Sequence, residues 1–386
     1  MKQLNILNLS RILSGKFGLK GLKTLIELDI YTGLSTARRH RISSLLADKL
    51  ANEARVELPL NIEIDISGML TSQLERSFDQ TAQYCELKTA LDEAGIDFLV
   101  LKGFAVAMRY YPKPWLRESN DIDLMVRASD LEAATGALEK LGYQRTRPNF
   151  SVTSQNLSMI RYKMSGMDFQ SSSGSTVEMH WRCIQNAELL DWTYEDVEES
   201  LSTFEMANTN FNALRSDYQL IYLCCHGAKH GWLRFKWLYD IHMMLLVLTE
   251  DELKSAYKIA GNHGLRIAFR SAILLHDRFF DGDYGASFDD ADWRHTNFVV
   301  ELAARYLSEP ELKNVSRGYA IQNSWRKVRF VTLLKTGLKF KLTVIGRTLF
   351  SNKDVKALNL SVAWLPLYWI LGPLLYICRV IARVLS

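Results

Sequence analysis

The sequence predicts an α+β fold, in which a small mixed sheet with helices is embedded between N-terminal and C-terminal helical regions. Apolar residues recur every three or four positions over most of the first 95 residues and again from about 191 to 355, the spacing of amphipathic helices. Between these regions they form short continuous or alternating runs, which are typical of strands. The chain has 386 residues, 48% of them hydrophobic and 23% charged, which is enough to bury the core of such a fold.

The N-terminal region is predicted to be helical to about residue 60, and one long amphipathic helix is predicted over residues 68–95. Gly95 supplies the C-terminal stop of this helix. The apolar positions on its inner face are Leu70, Leu74, Phe78, Ala82, Leu87 and Leu91.

Residues 95–185 are predicted to form a compact block of strands and helices. The first strand is the apolar run 96–101, which ends at the turn Lys102-Gly103, and the second is 122–126, where apolar residues alternate with acids. The other predicted elements are short helices at 104–111 and 128–141, weaker strands at 143–145 and 160–164, and a clear strand at 176–181. Beyond about residue 191 the chain is predicted to be helical almost throughout.

Two aspartates in the second strand, Asp121 and Asp123, are the strongest chemical signal in the sequence. Residues two apart in a strand point to the same face, so these carboxylates project together and repel each other unless a cation lies between them. Their oxygens suit Mg²⁺ or Mn²⁺. Glu178 lies in the middle of another apolar strand, and if that strand is a neighbour it supplies a third carboxylate for two metal ions, or a base for an acceptor hydroxyl.

Four motifs, taken in order, resemble the bacterial family of nucleotidyltransferases within the DNA polymerase beta-like superfamily. They are Leu101-Lys102-Gly103, Arg117-x-x-x-Asp121-Ile122-Asp123-Leu124-Met125-Val126, Val177-Glu178-Met179-His180-Trp181 and His226-Gly227-x-x-His230-x-Trp232-x-Arg234-x-Lys236-Trp237-Leu238-x-Asp240-Ile241. The resemblance is strong over about 70–250 and loose elsewhere.

This resemblance implies a polymerase-beta-like nucleotidyltransferase core in which Asp121, Asp123 and Glu178 bind two Mg²⁺ ions (or Mn²⁺). An NTP such as ATP would donate its nucleotidyl group to an unidentified acceptor and release pyrophosphate. Many members of the superfamily carry Gly-Ser at the first turn, where this chain has Lys102-Gly103. Gly103 still permits close approach of the backbone to phosphate, and Lys102 supplies a point charge.

The predicted nucleotide-binding residues are Lys102, Gly103, Arg117, Lys229, Trp232 and Arg234. Arg117 is expected to bind phosphate or to hold the acidic cluster, and an ordinary solvated arginine is the alternative.

The helix predicted over 218–247 is expected to cover the nucleotide, with Trp232 or Trp237 stacking on the base. Trp237 also has core-like spacing, and Asp240 is a candidate partner for an arginine.

Three histidines lie in these motifs. His180 is expected to support the metal ligands. The spacing of His226 and His230 also permits zinc binding, although the sequence shows no third ligand.

Two other functions remain open at this stage. A glycosyltransferase with a D-x-D motif also holds Mn²⁺ or Mg²⁺ against a nucleotide-sugar, but that fold normally places several βα units before the motif, where this chain is predicted to be helical. The second alternative is a non-catalytic module in surface-polysaccharide or membrane-associated biosynthesis.

The chain is predicted to divide into four regions. They are an N-terminal helical region (1–67), the nucleotidyltransferase core (68–190), a helical domain that closes over the nucleotide (191–325) and a basic, hydrophobic tail (326–386). The segment 362–378 carries no charged residue. It is short for a membrane span and contains two prolines, so attachment at the membrane interface, packing against the body and a true span are three open interpretations.

Composition predicts a cytoplasmic protein, with contact at the inner face of the membrane as one alternative. Five cysteines without a C-x-x-C pair indicate reduced thiols, and the N-terminus lacks the features of a secretory signal. A net charge of +4 gives no clear signal for nucleic-acid binding.

Overall fold

The computed structural model describes residues 6–15, 30–53, 58–288, 293–309 and 317–385, with side chains to residue 378 apart from residues 53 and 317–324. It confirms the α+β class. Part of the predicted N-terminal helical region, residues 16–29, lies outside the described residues.

Seven strands in the described residues form one mixed sheet. They are β1 (Phe98–Val100), β2 (Asp121–Val126), β3 (Gln144–Arg147), β4 (Gly166–Gln170), β5 (Thr176–His180), β6 (Leu201–Met206) and β7 (Thr209–Leu214). Their order across the sheet is β3-β4-β5-β2-β1-β7-β6. Strand β2 is antiparallel to β1 and parallel to β5, so the two strands that carry the predicted acids are neighbours.

Helices precede the sheet, cover it and follow it. They are α1 (Ile6–Leu13), α2 (30–40), α3 (Ser43–Glu53), α4 (Leu60–Glu93), α5 (Phe104–Tyr110), α6 (Leu131–Lys140), α7 (Leu157–Lys163), α8 (Tyr194–Val197), α9 (Ser216–Lys229), α10 (Phe235–Leu245), α11 (Glu250–Asn262), α12 (Arg266–Phe280), α13 (Trp293–Ser308), α14 (Arg317–Thr332), α15 (Leu338–Leu349), α16 (Asn352–Leu358) and α17 (Leu365–Leu385).

The predicted long helix is α4, and it begins earlier than the sequence indicated. It starts at Leu60, so the predicted boundary between residues 67 and 68 falls inside a continuous helix. Only its C-terminal half packs on the sheet, where Leu87 and Leu91 are buried, whereas Phe78 of the predicted inner face is exposed. Gly95 adopts a positive φ of 68° and ends the helix as predicted.

Several elements differ from the prediction. Strand β4 was not predicted, and the single helix predicted over 218–247 is divided into α9 and α10. The segment 160–164 belongs to helix α7 instead of a strand, because Met159, Ile160 and Lys163 are buried on one helical face. The segment 201–214, predicted to be helical, forms the hairpin β6–β7. Ala207 and Asn208 make its two-residue turn, both with positive φ, and neither is the glycine that usually marks such a turn.

The sheet separates two hydrophobic clusters. Side chains alternate along β1, so Phe98 and Val100 join the cluster beneath α4, α6 and α7, whereas Leu99 joins the cluster formed with α9 to α13. On β2 the same alternation places Ile122 in the first cluster and turns the acids toward α9 and α10.

The C-terminal segment packs on the body through one face. Tyr368 of α17 is fully buried against Phe350, with ring centroids 5.2 Å apart. In the part of the chain described, no single helix is long and apolar enough to cross a membrane. Asn352–Leu358 and Val362–Cys378, which bend by 106° between them, pass that test together by length and composition.

Candidate active site

The parallel pairing of β2 and β5 brings three carboxylates together. Asp123 lies directly opposite Glu178 in the register, and Asp121 projects from the same face as Asp123. Asp123 is completely buried, whereas Asp121 and Glu178 are partly exposed. The sequence analysis expected a cluster of three acids if these two strands were neighbours, and in the structure they are neighbours.

Lys102, two residues after the end of β1, places its own ammonium group against both aspartates. Its Nζ donates a hydrogen bond to Asp123 and lies 3.8 Å from Asp121 Oδ2. Burial opposes the charge on Lys102, but Asp123, Asp121 and Glu178 outweigh it and raise the pKa of the ammonium. In turn, Lys102 helps keep the pKa of Asp123 below its ordinary value although burial acts in the opposite direction.

His180 joins the cluster from the end of β5. Its Nε2 is 3.2 Å from Asp123 Oδ1 and 3.4 Å from Glu178 Oε2. Burial opposes protonation, yet these two carboxylates raise the pKa of His180. Burial also acts against ionisation of Glu178, and the contacts with His180 and Lys102 reverse this and lower its pKa to about 2.

These residues fit a divalent cation. One ligand atom from each of Asp123, Glu178 and His180 lies within 4.8 Å of the others, and carboxylate oxygens are the donors that Mg²⁺ and Mn²⁺ prefer. The Nδ1 atom of His180 is buried and has no hydrogen-bond partner among the described residues.

A cavity of about 450 Å³ opens above the acids. Its wall combines residues from β2, β5 and the turn after β1 with residues from α9 and α10, so the helical region that follows the sheet closes one side of it. The positively charged residues that line it are Arg41, Lys102, Arg117, Arg147, Lys229, Arg234, Lys236 and Lys327. The cavity therefore presents cations around an acidic floor, an arrangement suited to a polyphosphate held with metal ions.

A family model described as "Uncharacterised nucleotidyltransferase" matches residues 27–281. The chain belongs to this family. The match runs from α2 to the end of α12 and thus includes the whole sheet and the cavity. No curated protein sequence matches this nucleotidyltransferase-family chain.

The fold of this member of the nucleotidyltransferase family was compared with solved structures, and a similar one was found. It is the solution structure of the antibiotic-resistance factor ANT(2'')-Ia, whose sequence is 13% identical. The alignment covers 51% of this chain and 94% of that one, with a TM-score of 0.35.

The first turn of this nucleotidyltransferase-family chain is closed by a residue that sequence reasoning missed. Gly103 has a φ of +65°, and a Cβ atom there would lie 3.3 Å from Ser119 Oγ. Ser119 Oγ donates to the carbonyl of Asp121 at 3.1 Å and lines the cavity. Its position two residues before Asp121 was the only signal in the sequence.

Arg117 is committed to a buried ion pair. Its guanidinium donates two hydrogen bonds of 2.8 Å to the carboxylate of Asp240, which also accepts one of 2.8 Å from Tyr111. The pair joins the loop before β2 to α10. Arg117 lines the cavity, but this geometry favours a positioning role over the predicted binding of phosphate.

Helix α9 and the residues up to the start of α10 carry the side chains that were predicted to cover the nucleotide. Lys229 lines the cavity, and burial, followed by repulsion from Lys102, lowers its pKa to about 8. Burial likewise lowers the pKa of Lys236 to about 7, and its Nζ donates to the carbonyl of Glu118 at 2.9 Å. Arg234 also lines the cavity.

The two candidate tryptophans have different surroundings. Trp232 is completely buried and packs so tightly on Gly227 that a Cβ there would lie 2.3 Å from its ring. It does not line the cavity, so the prediction that Trp232 stacks on a base requires correction. Trp237 does line the cavity, with its ring stacked on His230 at a centroid distance of 4.8 Å.

The histidines of α9 are not part of the acidic cluster. His226 and His230 line the cavity, and burial keeps the pKa of each well below its ordinary value. Within the described ranges, the one group of three potential metal ligands is that of Asp123, Glu178 and His180.

Proposed function

We propose that this protein transfers an NMP group from an NTP to an acceptor hydroxyl and releases pyrophosphate, using Mg²⁺ or Mn²⁺. The observation that carries the proposal is the pairing of Asp123 with Glu178 on adjacent parallel strands, beside Asp121, at the floor of a cation-lined cavity. In this reaction the acceptor oxygen bonds to the α-phosphorus, the bond from that phosphorus to pyrophosphate breaks, and the hydroxyl proton leaves to water.

The three acids would hold the metal. When bound, a divalent ion supplies charge neutralisation and Lewis-acid polarisation for the triphosphate. His180 fixes the orientation of Asp123 and Glu178 through its Nε2. The low pKa of Glu178, about 2, makes it a weak proton acceptor and favours the ligand role over that of general base.

The cations of α9 and α10 would hold the phosphates. The ammonium of Lys229 makes no hydrogen bond or ion pair with any residue that the structure describes, and it faces a cavity that contains the acids. Such a half-buried charge without a direct ion pair is costly in the free protein and gains a partner when an anion binds. Trp237, stacked on His230, offers an aromatic edge or face to the base.

The position of the radiolabel tests the proposal directly. The purified protein is incubated with Mg²⁺ or Mn²⁺, a small-molecule and protein extract as the source of acceptor, and each NTP labelled at either the α- or the γ-phosphorus. Nucleotidyl transfer places the α-label in a product and the γ-label in pyrophosphate. Transfer of the γ-label to the product would refute it, and release of UDP from a UDP-sugar would favour the glycosyltransferase alternative.

Replacing Lys229 with methionine is expected to weaken NTP binding about tenfold at pH 7, because one charge-assisted contact is lost. Titrations are run with EDTA present, so that metal binding does not contribute. Lys258→Met, an exposed lysine on α11, is the matched control and is expected to bind NTP as the wild type does.

The same titrations predict a pH dependence with a definite sign. A lysine with a pKa of about 8 loses its positive charge as the pH rises, so NTP affinity should fall about tenfold from pH 7 to pH 9. Lys102 lowers the pKa of Lys229, whereas Glu178 and Asp123 raise it, and none of these outweighs burial. Lys236, with a pKa of about 7, also loses charge over this range, so the Lys229→Met protein should show a smaller fall than the wild type. An equal fall would contradict the role of Lys229.

A further inference from the structure

The charge of the chain is divided unevenly between its body and its C-terminal segment. Residues 317–386 contain twelve Lys and Arg residues and one acid, Asp354, which is buried. The net charge of the segment is therefore +11, and since the whole chain carries +4, residues 1–316 carry −7. A segment of this kind is attracted to anionic surfaces although the rest of the protein is repelled by them.

The same segment exposes large apolar side chains in two helical stripes. Of the 22 exposed large hydrophobic residues in the described chain, 11 lie between residues 325 and 377. On α15 the stripe consists of Leu338, Leu342 and Ile345, and on α17 it consists of Ile370, Leu374 and Ile377. Both follow the i, i+4, i+7 spacing of a single helical face.

The two helices that carry these stripes pack closely against each other. A Cβ on Gly346 of α15 would lie 3.0 Å from the Trp369 ring of α17, and one on Gly372 would lie 2.6 Å from the carbonyl of Leu349. Leu342 and Ile345 are within one turn of Gly346, and Ile370 adjoins Trp369. We call the exposed apolar side chains of these two packed helices the α15–α17 surface.

Aromatic and basic residues accompany this surface. Trp364, Trp369 and Tyr376 are 56%, 39% and 49% exposed, and tryptophan and tyrosine favour the headgroup depth of a bilayer. Lys353 and Lys356 are exposed on α16, which lies between the two helices in sequence. Apolar burial combined with attraction to anionic headgroups is the established physical basis of interfacial membrane binding.

We propose that the α15–α17 surface docks on an anionic lipid membrane, with the two helices lying in the interface. Charge complementarity favours the lipid surface over a symmetric dimer, because in such a dimer each α15–α17 surface would meet the +11 segment of the other copy. The docking goes beyond the proposed transfer reaction and does not depend on it. Lys327 of α14 and Asn352 of α16 also line the active-site cavity, so the basic segment extends from the cavity to this surface.

Sedimentation with vesicles tests the proposal on the full-length protein. Binding is expected to vesicles of equal parts phosphatidylcholine and phosphatidylglycerol, to be much weaker on phosphatidylcholine alone, and to be reversed by salt. Ile370→Glu is expected to lower vesicle binding at least about tenfold. It removes apolar area that would be buried in the membrane, and it adds a negative charge that the anionic lipids repel. Ile64→Glu is the matched control, since Ile64 is also helical and is 62% exposed against 66% for Ile370.

The contribution of charge is tested with a second pair of variants. Lys353→Glu with Lys356→Glu is expected to lower binding to the anionic vesicles by at least about tenfold, since each nearby lysine contributes about fivefold. Lys140→Glu with Lys258→Glu, both exposed on helices of the body, should bind as the wild type does.

Three outcomes would overturn the proposal. These are equal binding by Ile370→Glu and the wild type, resistance to extraction by alkaline carbonate (which would indicate a span), and a dimer that Ile370→Glu dissociates without any lipid binding. Thermal unfolding and pyrophosphate release from soluble substrates are measured on each variant. Both should stay unchanged, so failure of lipid docking is distinguishable from failure of the proposed enzyme activity.

Discussion

Replacing Asp123 with asparagine is expected to lower nucleotidyl transfer by about a thousandfold while the fold is retained. A metal-bound phosphoryl group gains several kcal/mol of charge stabilisation, which corresponds to a factor of this size. Asp123 is completely buried and contacts both Lys102 and His180, so its carboxylate is central to the cluster. The amide keeps the shape of the side chain, and Asp121 remains to face Lys102. Pyrophosphate release under saturating NTP measures the effect.

Asp97→Asn is the control for this variant. Asp97 immediately precedes β1, is 66% exposed and pairs with Arg127 away from the cavity, so its replacement should leave the rate unchanged. Retention of more than about a tenth of the wild-type rate by Asp123→Asn, with normal thermal unfolding, would contradict its assignment as a metal ligand.

The largest effect on stability is expected for Asp240→Ala. Removal of one partner from a buried ion pair leaves the other charge uncompensated and typically costs about 3–5 kcal/mol. Arg117 and Asp240 are 3% and 0% exposed, and Tyr111 also loses its acceptor. Chemical denaturation should therefore show a free energy of unfolding reduced by about 3–5 kcal/mol.

Two further variants separate this effect from ordinary loss of a surface charge. Glu301 and Arg278 form an ion pair at the surface, where they are 64% and 45% exposed. Breaking this pair with Glu301→Gln should change the free energy of unfolding by less than about 1 kcal/mol. Arg117→Met combined with Asp240→Leu removes both charges and should recover most of the stability lost in Asp240→Ala. A single Asp240→Ala variant as stable as Glu301→Gln would contradict the structural role of the pair.

Local patterns in the sequence were sufficient to predict the acidic floor of the site. Alternation in Ile122-Asp123-Leu124 predicts a strand with its acids on one face, and Glu178 stands out in an apolar strand. These local patterns do not give the order of the strands in the sheet. Strands β2 and β5 are neighbours although some 50 residues of chain separate them. The family resemblance supplied that order, and the match over residues 27–281 confirms the family.

Other features depend on contacts that no local pattern contains. Arg117 and Asp240 are 123 positions apart, and the sequence alone left phosphate binding open for the arginine. Trp232 has the same residue type and nearly the same position as Trp237, and only packing against Gly227 decides which of them lines the cavity. The β6–β7 hairpin was missed because its Ala207-Asn208 turn lacks glycine, although Phe204 and Phe211 alternate with polar residues on its strands.

Titration of Mn²⁺ followed by electron paramagnetic resonance tests the metal site without knowledge of the acceptor. The titration is run without added nucleotide, because free nucleotide would itself bind Mn²⁺, and the signal of free Mn²⁺ is recorded for the wild type and for Asp121→Asn with Asp123→Asn. The wild type is expected to remove Mn²⁺ from solution, and the double variant to leave it free. Equal Mn²⁺ binding by the two folded proteins would contradict the assignment of Asp121 and Asp123 as metal ligands.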